Sequence, residues 1–417
     1  WRAVCLQKHP SLMNRLQFAQ LMWSIYGSKK LPDLNWIQDL GLLAVKLGQM
    51  HALRIDFLDP AKCLHLSQLY RKNAAVPKEN FRALLQRGAV WGSESPFDHM
   101  EDQPLATASI GQVHRGRLRD GSEVIVKVVK TDARDQFIRD VAALKSMFTW
   151  FTRLYPPLKR VGDPVAMLGD IETYTLSELD LRRELAGQQT LKRLRDEHAD
   201  RFDFDNLTFP HIYSEYTGES VMVAECIQGP TFDELLEEGK LPYEKVVELF
   251  RMHGYYMFCI GTFHGDLHPG NAMLVGEKIC WVDTGFVGTV GRQLRVGLLR
   301  FFSALTTYDY PRCVEALHGM SLVPLDEEAL QQFKTRFEEL YEPFTDSTVS
   351  EISLTRQMME TIKLGVLCGM QFDKDIFAII RSLMYMDGMV LRCNPDAVLM
   401  RDMRGFIDQV MPSGDLD

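Results

Sequence analysis

Apolar residues recur at helical spacing through the first part of the chain. Residues 11–26 (SLMNRLQFAQLMWSIY) and 34–53 both carry this period, which predicts a helix in each. Residues 60–87 continue it, with a break near Pro77. The stretch Trp91–Pro104 is rich in Gly, Ser, Pro and acidic residues and reads as a boundary. Leu105–Lys130 then alternates, is rich in Val and Ile, and turns at Arg119-Asp120-Gly121, which is a β-hairpin pattern. Helical spacing returns over 132–155 and stops at Pro156-Pro157. Residues 165–198 contain no proline and predict one long helix. Short strands are predicted near His211–Tyr213 and Ser220–Ile227. Helices follow to about Arg404, interrupted by a compact loop at His264–Gly288.

A β-rich part with a long helix, followed by a helical part, predicts two lobes with a cleft between them. The expected divisions are 1–95, an N-terminal helical extension; 96–228, the smaller lobe; and 229–417, the helical lobe.

Composition narrows this picture. Apolar residues are 46% and charged residues 25% of 417, which argues against a mainly disordered chain. A net charge of −9 makes non-specific nucleic-acid binding a poor candidate. That charge is uneven: residues 1–95 hold 13 basic and 6 acidic side chains, a surplus of +7, and the remainder carries −16. The eight cysteines form no Cys-x-x-Cys pair, so neither a disulfide scaffold nor a zinc ribbon is expected, and a reducing compartment fits. The ten-residue apolar run Gly254–Phe263 is too short to cross a bilayer and reads as buried core. The methionines of Met358–Met403 read as adaptable core packing. A first residue of Trp1 suggests a fragment or a processed form.

The strongest chemical signal is His264-Gly265-Asp266-Leu267-His268-Pro269-Gly270-Asn271, followed by Val282-Asp283-Thr284-Gly285. Phosphoryl transfer needs a carboxylate to position the acceptor and hard oxygen ligands for Mg²⁺. Asp266 suits the first role. Asn271, five residues on, and Asp283, seventeen on, suit the second.

Other signals are weaker alone. Lys127 interrupts an apolar strand (Val124–Val128), and a buried ammonium needs a partner. Ala106-Thr107-Ala108-Ser109-Ile110-Gly111 occupies the place of a phosphate loop but holds one glycine. On the predicted long helix Asp180 and Glu184 share a face, while Glu178 points elsewhere. Lys46 and Gln49 share a face of an early helix, with Gly48 allowing close packing. The bland alternatives are a water-facing edge lysine, an ordinary turn and a solvated acidic helix face.

Taken together, Lys46-Leu47-Gly48-Gln49, Ala106–His114, Val124–Lys127, Glu178-Leu179-Asp180 with Glu184, His264–Asn271 and Asp283 resemble the UbiB family of atypical kinase-like ATPases. The resemblance runs over about residues 35–405 and includes Arg381–Asp396. It implies an α+β, protein-kinase-like two-lobed fold with a helical N-terminal extension. It also implies ATP or ADP and Mg²⁺ as cofactors, and a role in ubiquinone or another isoprenoid-quinone pathway.

Residue by residue, Lys127 would hold nucleotide phosphates and pair with Glu184. Asp266 would be the catalytic-loop carboxylate, and Asn271 and Asp283 would bind Mg²⁺. Ala106, Thr107, Ala108, Ser109 and Gly111 would cover the nucleotide, and Glu225 would lie at the inter-lobe hinge. Lys46 and Gln49 would close over the cleft, meet Glu178 and Asp180, and suppress protein phosphorylation. Two departures stand out: Ala-Thr-Ala-Ser replaces Ala-Ala-Ala-Ser, and Thr284 follows Asp283 where kinases carry Phe.

The basic extension suggests an anionic membrane surface as a partner, beside quinone-biosynthesis proteins and lipid-like phenols. The expected location is the cytoplasm or an organelle matrix, at the membrane periphery, with no transmembrane segment. The rival readings are a small-molecule phosphotransferase, which leaves Lys46 and Glu178 unexplained, and a nucleotide-binding scaffold without turnover.

Overall fold

A computed structural model describes residues 15–52, 58–70, 78–92, 94–107, 111–129, 131–154, 164–373 and 375–411. The chain divides into two compact units. The first comprises 1–185 and 211–226, and the second 186–210 and 227–417.

The first unit opens with helices α1 (Arg15–Met22), α2 (Leu34–Asp39), α3 (Leu42–Ala52), α4 (Pro60–Ser67) and α5 (Lys78–Gly88). Within residues 34–53, expected as one helix, the described part (34–52) forms two. Gly41 adopts φ +103°, a left-handed conformation that stops α2, and α3 restarts immediately. α3 is buried nearly all round, with Leu43, Ala44, Val45 and Leu47 in the core. Gly48 keeps that packing close: a Cβ there would lie 2.5 Å from Leu69.

The strands are β1 (Phe97–Met100), β2 (Ala106–Thr107), β3 (Gly111–Leu118), β4 (Glu123–Val129) and β6 (Val221–Glu225). They form an antiparallel sheet in the order β1-β3-β4-β6, with β2 paired to β3. β1 lies inside the stretch expected to be a boundary. Its polar side chains are tolerated because an outer strand meets water, and Asp98 pairs with Arg117 of β3. The period of two places Val124, Val126 and Val128 on one fully buried face, where Phe81 and Leu84 of α5 join them. Each such valine contributes about 1.5–3 kcal/mol. Lys127 therefore lies on the opposite face.

Helices α6 (Thr131–Leu154) and α7 (Pro164–Glu178) pack with α1–α4 around a second core. The single helix expected over 165–198 is broken at Leu179–Leu181, and α8 (Arg182–Glu197) begins beyond it. Leu179 and Leu181 are both buried, and between them the backbone leaves the helical hydrogen-bond pattern. Leu181 N donates instead to Glu219 O at 2.9 Å, and Asp180 accepts from Arg182 N at 3.2 Å. Asp180 and Glu184 consequently do not share a helical face.

The second unit holds the rest of α8, β5 (Leu207–Thr208), α9 (Phe232–Glu237), and α10 (Tyr243–Gly254) with a π-helical extension Tyr255–Ile260. The run Gly254–Phe263 is largely buried, as its composition suggested. Residues 264–288, expected as a loop, are built on strands: β7 (Thr262–His264) pairs with β10 (Val287–Thr289), and β8 (Ala272–Val275) pairs with β9 (Lys278–Trp281). The β8–β9 turn places Gly276 at φ +60°, a two-residue hairpin connection. Helices α11 (Arg292–Leu305), α12 (Tyr310–Met320), α13 (Glu327–Tyr341), α14 (Leu354–Leu367), α15 (Ile376–Cys393) and α16 (Leu399–Val410) follow. Met358, Met370, Met386, Met389, Met400 and Met403 are all buried in their core.

No described helix is long and apolar enough to cross a membrane. Among the described residues the cysteines are free thiols.

Candidate functional site

In the first unit, Lys127 Nζ donates to Glu184 Oε2 at 2.7 Å, and the two side chains are only 12% and 8% exposed. The sheet aims Lys127 at the start of α8, and the break at Leu179–Leu181 sets where that helix begins. An ammonium placed here would be costly without the carboxylate.

Lys46 lies on the buried helix α3, and its Nζ pairs with Glu178 at the end of α7. Both are largely buried, so removing Lys46 takes from the Glu178 carboxylate its ion-pair partner, which costs about 3–5 kcal/mol. Gln49 Nε2 donates to Leu69 O at 3.1 Å. Asp180 receives a two-pronged contact from Arg182, 2.8 Å to each carboxylate oxygen. Those guanidinium hydrogen bonds hold its carboxyl below the usual range. The structure thus joins Lys46 to Glu178 and seats Asp180 on Arg182.

Ala106 and Thr107 form β2, opposite Val113 and Gln112. Ala108 and Ser109 lie outside the described residues. Gly111 begins β3 opposite Val129, where a Cβ would meet Val128 O at 2.6 Å. Glu225 ends β6, and its carboxylate accepts from His211 N at 3.0 Å.

In the second unit the loop after β7 is tied together by hydrogen bonds. His264 is fully buried. Its Nε2 lies 3.0 Å from Val282 O, and its Nδ1 accepts from Asp266 N at 3.2 Å. A carbonyl can only accept, so these partners select the neutral tautomer protonated on Nε2. Burial also lowers its pKa, which keeps the ring neutral.

Asn271 donates from Nδ2 to Asp266 O at 2.9 Å, and its backbone carbonyl accepts from Val282 N at 3.0 Å. These bonds connect the Asp266 loop to the residue before Asp283. Asp283 is exposed and sits at φ +53°, an uncommon left-handed conformation for a non-glycine residue. Carboxamide and carboxylate oxygens are hard donors, and Mg²⁺ takes a few such protein ligands and completes its shell with water and phosphate oxygens. The residues present fit that ion.

Two contacts were absent from the sequence reading. Tyr385 Oη donates to Asp266 Oδ1 at 3.1 Å, and its ring meets His268 edge-on. Arg381 donates to Gly265 O at 2.7 Å and lies over the Phe286 ring. Their four-residue spacing puts both on one face of α15. That spacing was the available signal, but it carries no hint of what the face meets.

Residues 68–317 match the family described as ABC1 atypical kinase-like domain. Among curated proteins, the chain is similar to "Probable protein kinase UbiB" of Sodalis glossinidius, at 28% identity over 385 residues, 89% of this chain and 69% of that protein. It is similar to the protein of the same name from Aeromonas salmonicida, at 27% identity over 417 residues, 95% of this chain and 74% of that protein. Among solved structures, the complex of Rv3197 with erythromycin from Mycobacterium tuberculosis aligns with a TM-score of 0.53 at 19% identity. That alignment covers 91% of this chain and 95% of the other, a likeness of fold.

Proposed function

The chain belongs to the UbiB family of ABC1-type atypical kinase-like proteins, and from that premise we propose an ATPase that binds Mg·ATP and Mg·ADP and supports ubiquinone or another isoprenoid-quinone pathway. The observation that carries this reading is the nearly buried Lys127–Glu184 pair, an ammonium on a strand held by a carboxylate on a helix. In this reading Lys127 holds the α- and β-phosphate oxygens, and Glu184 fixes its position. The segment Ala106–Ser109 with Gly111 lies along the nucleotide, and Glu225 contributes to the same binding.

Asp266 orients the acceptor, either water or a small lipid-like phenol, while Tyr385 fixes the carboxylate rotamer. Asn271 and Asp283 hold Mg²⁺, whose role when bound is to neutralise charge developing on the phosphate oxygens. Lys46, Gln49, Glu178 and Asp180 form the regulatory set that suppresses protein phosphorylation. The Lys46–Glu178 ion pair favours this reading over a small-molecule phosphotransferase, which has no use for it. Partners in this reading are quinone-biosynthesis proteins and an anionic membrane surface. The second partner is supported by exposed Trp23, Tyr26 and Leu31 beside Lys29 and Lys30.

Calorimetric titration with ADP, with and without Mg²⁺, tests the assignment. The wild-type chain is expected to bind in a Mg²⁺-dependent manner, and Asp283→Asn to lose that dependence. Unchanged Mg·ADP affinity in Asp283→Asn would sink the metal role.

A further inference from the structure

The break between α7 and α8 leaves the Leu181 amide outside the helical pattern, and the turn before β6 takes it up. Leu181 N donates to Glu219 O at 2.9 Å. The next carbonyl of that turn serves the sheet, where Val129 N donates to Ser220 O at 2.9 Å. Val129 ends β4 two residues after Lys127, and Leu181 lies three residues before Glu184. Two adjacent carbonyls therefore hold both the strand that carries the ammonium and the helix start that carries its carboxylate.

The turn has little freedom of its own. Gly218 N donates to Val221 O at 2.8 Å, and a Cβ on Gly218 would lie 2.5 Å from Val90. Gly88, at the end of α5, packs equally closely, since a Cβ there would lie 2.7 Å from Val221. The Glu219 side chain then ties two helices to this fixed point. Its carboxylate pairs with Arg134 of α6 and lies 3.7 Å from the Arg182 guanidinium at the start of α8. All of these residues belong to the first unit.

We propose that Glu219 is a positioning residue for the Lys127–Glu184 pair, fixing the start of α8 against the end of β4. The inference rests on the reading that Lys127 holds nucleotide phosphates. The carboxylate stands between two guanidinium groups that would otherwise repel each other. Half-exposed ion pairs are individually weak, so the effect runs through geometry. A helix is stiff, and a shift at Arg182 is passed to Glu184 two residues on. Lys127 then meets the phosphate oxygens from the wrong place, and small misplacements of a binding group are costly.

Calorimetric titration of the full chain with Mg·ADP, run as a double-mutant cycle, tests this. Glu219→Gln keeps the size and removes the charge, and should weaken Mg·ADP about threefold with an unmoved urea midpoint. Arg134→Gln reaches the same joint from α6 and should weaken it about twofold. Glu184→Gln alone should cost about tenfold or more. Adding Glu219→Gln to Glu184→Gln should change affinity about 1.5-fold at most, because the group through which Glu219 acts is gone. A merely stabilising role gives the same loss in both backgrounds, and that result overturns the inference. Unchanged affinity in Glu219→Gln and Arg134→Gln, beside a loss in Glu184→Gln, overturns it too and leaves the phosphate reading standing. Unchanged affinity in Glu184→Gln overturns the phosphate reading and the role of Glu219 with it.

Discussion

Asp266 has one carboxylate oxygen held by Tyr385, and that contact defines a test at the scale of a single atom. Tyr385→Phe keeps the ring against His268 and deletes the donor. Steady-state ATPase kinetics should show kcat reduced about fivefold with KM nearly unchanged, the effect of one neutral hydrogen bond on a positioned group. A change confined to KM would place Tyr385 in nucleotide binding instead. Lys46 offers a second test. Arg keeps the charge but replaces a compact ammonium with a planar fork that fits the Glu178 site poorly. Lys46→Arg should therefore raise autophosphorylation, measured as radiolabelled phosphate incorporation. Unchanged incorporation would count against a suppressive extension. At this scale the sequence was informative where chemistry is rare: an Asp-x4-Asn spacing is visible because few neutral reasons produce it, whereas a lysine in an apolar strand could as well face water at a sheet edge and gained meaning only beside the other motifs. Tyr385 was invisible because a tyrosine on a helical face has many ordinary uses.

At the scale of elements, breaks decide the geometry. The expected 165–198 helix fails at Leu179–Leu181, where Leu181 N leaves the helical pattern and donates to Glu219 O. That break separates Glu178, paired with Lys46, from Glu184, paired with Lys127. One uninterrupted helix would have placed these carboxylates by its own period alone. Gly41 plays the same part between α2 and α3. Gly41→Ala forces a Cβ into a left-handed conformation and brings it 3.1 Å from Gln136 Nε2. The substitution should lower unfolding free energy by about 1 kcal/mol or more, measured by chemical denaturation. A neutral result would mean that the α2–α3 junction relaxes freely. The strands at 262–289 were missed because runs of three or four residues barely express a period, and pairing partners distant in sequence supply what short runs lack.

Across the molecule, two fully buried histidines of the second unit couple stability to pH. His253 and His264 both have pKa values lowered by burial, so the folded state stays neutral where the unfolded chain, near pH 6.5, takes up protons. The unfolded state then binds more protons, and stability falls as pH drops below 6.5. For His253 the loss between pH 6.5 and 5 is about 2 kcal/mol, and above 6.5 the curve should flatten. Urea unfolding from pH 5 to 7.5 measures it, with His253→Phe expected to reduce the slope. A profile without slope below 6.5 would contradict neutral burial of these rings.

Local pattern was enough to determine the hairpin at 105–130, the helical nature of the extension and of the last third, the methionine-filled core, and the residue types able to handle phosphate and Mg²⁺. Those features depend on neighbours within a few positions, and side-chain chemistry is carried by single residues. Tertiary structure alone decided that Asp180 meets Arg182 and Gln49 the Leu69 carbonyl, where the long helix breaks, and that α15 holds the Asp266 loop. Apart from Asp180 with Arg182, each of these joins residues twenty to more than a hundred positions apart, and long-range packing sets such pairings without leaving a periodic trace in the chain.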